Sequence, residues 1–124
     1  MEFNLYAAWI GFVLGAVSGA AMGLFFHDER FMGGYGSWQR RMARLGHISF
    51  FGIGLLNIAF AATAYVLGIE SGLRLPSILL LVAAVGMPLV CYLSVVWKPS
   101  RHLFFIPVAS LTIATAAFLW RILP

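Results

Sequence analysis

Read as a pattern of apolar and polar positions, the chain alternates long uncharged runs with short charged connections. Four runs stand out, at about Tyr6–Phe26, Leu45–Gly68, Pro76–Trp97 and Leu103–Ile122. Each approaches or exceeds the roughly 20 apolar residues that a helix needs to cross a bilayer. Contact with lipid dictates helix rather than open strand, because every backbone N–H and C=O must then be bonded within its own segment. The connections are short except for residues 28–44, and short links make successive helices antiparallel neighbours. The pattern predicts an all-α integral membrane protein: a single domain over residues 1–124, built as a four-transmembrane-helix up-down bundle.

The first run, YAAWIGFVLGAVSGAAMGLFFH, carries a stripe of small residues. Gly11, Gly15, Gly19 and Gly23 recur every fourth position, and His27 takes the next place in the series. Each glycine lets another backbone, a lipid or a flat ligand approach the helix axis. Two uses follow. The stripe is either a surface for tight helix packing or a groove for a pigment, haem or quinone that ends at His27. In the second run Gly54 lies one heptad after His47, and Asn57 falls near mid-bilayer, where an amide needs a partner. Asn57 therefore reads as packing glue or as part of a polar site.

The long connection reads HDERFMGGYGSWQRRMARLGH. Gly33, Gly34 and Gly36 break any continuous helix there. Ser37 suits an N-cap, so a helix beginning at Trp38 is expected to run on into the second span. Pro76 suits a first helical turn, and Pro88 predicts a kink in the third span by removing a backbone donor. Ser100, in the turn KPSRH, is expected to cap the fourth helix, with Pro107 giving it an irregular start. The later stretch ASLTIATAA is small and hydroxylated, again a packing surface.

Composition sharpens this picture. The chain is 62% hydrophobic and 10% charged, and its mean hydropathy is +0.95. A water-soluble domain of this size has too little interior to hide so much apolar surface. The lone Cys91 excludes an intramolecular disulfide. The start MEFNLY lacks a basic n-region, so the first run is expected to remain as a real span. The net charge of +4 sits in the connections, which points to membrane topology rather than to nucleic acid. Arg30, Arg40, Arg41, Arg44, Lys98 and Arg101 share one side of the predicted bundle, against Arg74 and Arg121 on the other. That asymmetry puts the first side in the cytoplasm and both termini on the outer, periplasmic side of a bacterial inner membrane. Arg40, Arg41, Arg44, Lys98 and Arg101 are expected to meet lipid headgroups.

Candidate chemistry is confined to three histidines. His27 ends the first span, His47 begins the second and His102 begins the fourth, all on the arginine-rich side. Two of them could ligate a b-type haem, with arginines meeting the propionates and glycines making room for the ring. His47, slightly inside its span, is the first candidate for a haem or metal ligand, followed by His27 and His102. The alternative is that amphipathic imidazoles simply suit the interface. No familiar metal spacing, nucleophile motif or phosphate loop is present, and the span interiors hold no Asp, Glu, Lys or Arg. The reading is a non-catalytic accessory subunit of a larger energy-transducing membrane complex, respiratory or photosynthetic, in contact with lipids and other membrane subunits. A haem b electron-transfer subunit and a small transporter or channel are the alternatives.

Overall fold

A computed structural model describes residues 1–124 as an all-helical protein. Four helices carry the fold: α1 (Glu2–Phe25), α2 (Trp38–Val66), α3 (Arg74–Val96) and α4 (Phe105–Ile122). All four are long and apolar enough to cross a membrane when the 3₁₀ turn Lys98–Phe104 is joined to α4. The chain is an integral membrane protein with the expected four-helix bundle.

Local chemistry explains the helix boundaries. Ser37 caps α2, its Oγ accepting from Arg40 N at 3.2 Å and donating to Met32 O at 2.6 Å. From that cap α2 runs for 29 residues, so the polar segment after Trp38 and the second span form one rod, as the sequence implies. Before the cap, Met32, Gly33 and Gly34 all have positive φ, a sharp reversal in the connection between the end of α1 at Phe25 and the start of α2. The start of α1, at Glu2, lies four residues before the apolar run begins. One expectation fails. Ser100 does not cap α4: it is buried in the 3₁₀ turn, donating to Trp97 O at 2.7 Å and lying 3.0 Å from Ser94 Oγ. The turn has its own helical bonding, so α4 begins without a side-chain cap.

The bundle is open. α2 packs extensively on both α1 and α3, and α4 packs on α3, while α1 touches α3 only lightly. α1 and α4 therefore occupy the edges. In their most apolar windows only 11% of α1 is buried within the chain, against 39% of α2. The small hydrophobic core of Phe60, Leu80 and Ala114 joins α2, α3 and α4, with Phe118 edge-on to Phe60 at 4.7 Å.

Packing between helices uses glycine as a socket for a ring. A Cβ at Gly15 would stand 2.6 Å from the Phe51 ring, and one at Gly54 would stand 2.7 Å from the Phe12 ring. Gly19 receives His47 in the same way, and Gly46 receives Tyr92. The rings form a ladder along the α1–α2 seam: Trp9 edge-on to Phe12, Phe12 stacked on Phe51, and Phe51 edge-on to His47. Such ring pairs contribute about 0.5–1.5 kcal/mol each beyond the area they bury.

Candidate functional site

The glycine stripe of α1 is largely consumed by α2. Gly11 faces the Phe50 carbonyl, Gly15 faces Phe51 and Gly19 faces His47, while Gly23 has open space beside it. Gly54 completes the seam from the other helix against Phe12 and the Ala8 carbonyl. Gly11 also opens on a groove of about 440 Å³ between α1 and α3, floored by Phe50 and flanked by Pro88 and Tyr92. The stripe thus serves helix packing along most of its length and borders a cavity at one point.

The three histidines occupy unlike places. His27 and His102 are exposed, and His47 is half-buried. His47 Nδ1 lies 3.1 Å from Ser18 Oγ, and that hydroxyl also donates to Gly15 O at 3.0 Å. Where the Ser18 hydrogen goes to Gly15, Ser18 accepts from Nδ1–H and the Nε2 lone pair is unused; in the other tautomer Nδ1 accepts from Ser18. An imidazole oriented through Nδ1–H with Nε2 free is in the tautomer that metal-binding histidines commonly use. No group of three or more His, Cys, Asp or Glu side chains is placed to hold a metal ion.

Arg40 departs from its expected place among the headgroups. It is 3% exposed and turned back into the connection between α1 and α2. Its Nε donates to Phe31 O at 2.7 Å, one Nη donates to Phe26 O at 3.1 Å, and the other donates to Asp28 O. The guanidinium also stands over the Phe26 ring, 4.6 Å from its centre. Phe26 caps the C-terminus of α1, the negative pole of that helix, so a cation there is favourable and needs no carboxylate. Arg44 is half-buried on Tyr35, bonding its carbonyl at 3.0 Å and facing its ring at 4.4 Å. Arg41, Lys98 and Arg101 remain exposed, and Lys98 lies over the Trp38 ring.

Asn57 has the partner it needs. It accepts at Oδ1 from Asn4 Nδ2 at 2.8 Å and donates to Ile53 O at 2.9 Å. Asn4 in turn donates to Ser77 O at 3.2 Å and accepts from Ser77 Oγ at 2.5 Å. Both amides are fully buried, and all their polar atoms are engaged. Asn4 and Ser77 escape a reading of the sequence because both fall at the very ends of apolar runs, where polar residues are ordinary. Their signal is depth. Both lie about one turn inside their helices, and α1 and α3 start on the same side of the bundle.

No family of known proteins, no curated protein and no solved structure matches this chain.

Proposed function

We propose that this protein is a non-catalytic accessory subunit that packs against another integral membrane protein through the outer face of α4. The observation that carries the reading is the character of that face. Ala109, Thr112 and Ala116 are exposed at helical spacing on an edge helix, and the Thr112 hydroxyl is folded back onto Val108 O at 2.8 Å. A helix side made of small residues lets a second backbone approach closely, whereas lipid-facing surface has no need of them. α1 adds Ala16 and Ala20, exposed on the side away from α2. The parent assembly is proposed to be an energy-transducing complex of a bacterial inner membrane, in keeping with a chain that is almost entirely transmembrane and has its basic residues gathered at one end.

The test is site-specific photo-crosslinking in native membranes. A photoreactive residue at Ala109, Thr112 or Ala116 should capture one discrete membrane polypeptide, while the same group at Tyr65 should not. Loss of that product in Ala116→Leu would support the face. A chain that migrates alone from mild detergent and crosslinks only to lipid sinks the reading.

The half-buried His47, held at Nδ1 by Ser18, favours a second reading, a haem-binding electron-transfer subunit. Oxidised and dithionite-reduced visible spectra of the purified protein decide it. A Soret band that shifts on reduction and disappears in His47→Ala supports a haem, and a colourless, metal-free preparation excludes it.

A further inference from the structure

The basic end of the bundle sorts its cations into two groups. Arg40 and Arg44 are taken up by main-chain carbonyls between Phe26 and Tyr35, whereas Arg41, Lys98 and Arg101 are exposed. Trp38 relates the three exposed ones. Its Nε1 donates to Ser94 O at 2.9 Å, which pins the start of α2 to the end of α3. Lys98 Nζ stands 5.2 Å from the centre of the indole. Arg41 follows Trp38 at i+3 on α2, where helix side chains are neighbours. Arg101 follows Lys98 at i+3 in the 3₁₀ turn, where side chains eclipse. The turn is itself tied to α3 by the buried Ser100, 3.0 Å from Ser94 Oγ and donating to Trp97 O at 2.7 Å. Three cations thus sit around one fixed indole, on two helical segments bonded to the same end of α3.

We infer that this patch binds the headgroup of diphosphatidylglycerol, an anionic phospholipid with two phosphates joined by one glycerol. The claim is a single site with a preferred lipid, which is more than the general attraction of basic residues to a membrane. It does not depend on the accessory role, because the outer face of α4 contributes nothing to the patch.

Three features select the ligand. The first is the absence of counter-ions within the chain. No Asp or Glu occurs between Phe31 and Ile69, and none follows Glu70. Asp28 and Glu29 lie in the connection after α1, where Asp28 accepts from Arg30 N. The second is number. One phosphodiester carries one negative charge and leaves most of a three-cation patch unmatched, whereas two on one headgroup match it more closely, and basic pockets between transmembrane helices bind such headgroups. The third is the surrounding surface. Val96, Trp97 and Phe105, which flank the basic turn in sequence, are exposed and apolar. Aromatic rings beside basic side chains mark headgroup depth, so the anion that fits here carries acyl chains.

The experiment is native mass spectrometry of the purified full chain released from mild detergent, titrated with diphosphatidylglycerol, phosphatidylglycerol and phosphatidylcholine of matched acyl chains. Wild-type protein should hold one diphosphatidylglycerol, phosphatidylglycerol more weakly and phosphatidylcholine weakest. Arg41→Gln, Lys98→Gln and Arg101→Gln should each weaken diphosphatidylglycerol about fivefold, and the triple variant about a hundredfold. These side chains are exposed, so the fold should survive, and circular dichroism with the thermal midpoint checks it. Arg74→Gln, at the opposite end, should bind as wild type does. Wild-type affinity in a folded triple variant overturns the inference, and so does equal affinity for phosphatidylcholine. Equal affinity for phosphatidylglycerol overturns the two-phosphate preference. Displacement of the lipid by excess soluble glycerol phosphate would make a free phosphate the ligand and overturn the lipid assignment.

Discussion

Two polar knots hold this apolar protein together, and they are made differently. At the end where the chain begins and finishes, Asn4, Asn57 and Ser77 tie α1, α2 and α3 with neutral groups. At the opposite end Arg40 ties α2 with a full charge to the C-cap carbonyl of α1 and to two carbonyls of the connection that follows. Depth accounts for the choice. Asn57 lies nine residues inside the end of α2, about 13 Å along the rod, where a charge is expensive and an amide can close its valences on another amide. Arg40 lies in the first turn of α2, beside the C-cap of α1, whose Phe26 carbonyl has no other donor. There a guanidinium, with five N–H groups in a fixed fork, satisfies three carbonyls at once.

The contrast can be broken from either side. The largest effect is expected at Arg40→Met, which removes three bonds and strands the Phe26 carbonyl, while the carbonyls of Asp28 and Phe31 keep their bonds from Phe31 N and Gly34 N. Bonds from a charged donor contribute about 1.5–3 kcal/mol each and are not additive, so a loss of about 4 kcal/mol is expected. Unfolding by denaturing detergent measures it, and Arg40→Lys should recover only part, because an ammonium lacks the fork. Asn57→Asp should follow, at about 3 kcal/mol, the usual size for an aspartate placed within a span. The same titration reads it, and a variant as stable as wild type would show that the amide knot tolerates charge. Asn4→Ala should destabilise by about 1 kcal/mol, and a double-mutant cycle with Asn57→Ala should give a coupling of about 0.6–1.7 kcal/mol. The smallest effect has the opposite sign. Tyr92→Phe should raise the stability by about 1 kcal/mol, because it removes a buried hydroxyl with no partner.

The sequence makes the scaffold legible and the knots much less so. Uninterrupted apolar length is a strong signal and gives the four spans, while the Ser37 cap and the fusion of the segment after Trp38 with the second span follow from the capping preference of a serine placed after three glycines. Along the glycine stripe Gly11, Gly15 and Gly19 stand close to α2, and Gly23 does not. What cannot be read is which ring fills each socket: Gly46 belongs to no stripe, yet it receives Tyr92 from α3. Arg40 is misread for a physical reason. Arg40, Arg41 and Arg44 look alike in a basic run, and only the 100° turn between neighbouring helix positions sends one inward and the next to the surface. Asn57 announces its need for a partner, but Asn4 lies 53 positions away, and no local pattern links the two. His47 stands out by its place in the chain, whereas its tautomer depends on Ser18, a residue with no signal of its own.

The cage around Arg40 also bears on mutational tolerance. Arg40 grips main-chain oxygens, and every residue has one whatever its side chain. Asp28, Glu29 and Arg30 all lie exposed within the gripped segment, so a saturation library across these three positions should return mostly functional sequences. Gly33 and Gly34 hold positive φ within the same short stretch, and there nearly every substitution should be rejected. A segment of a few residues would thus display both extremes of permissiveness, set by which atoms its neighbours touch.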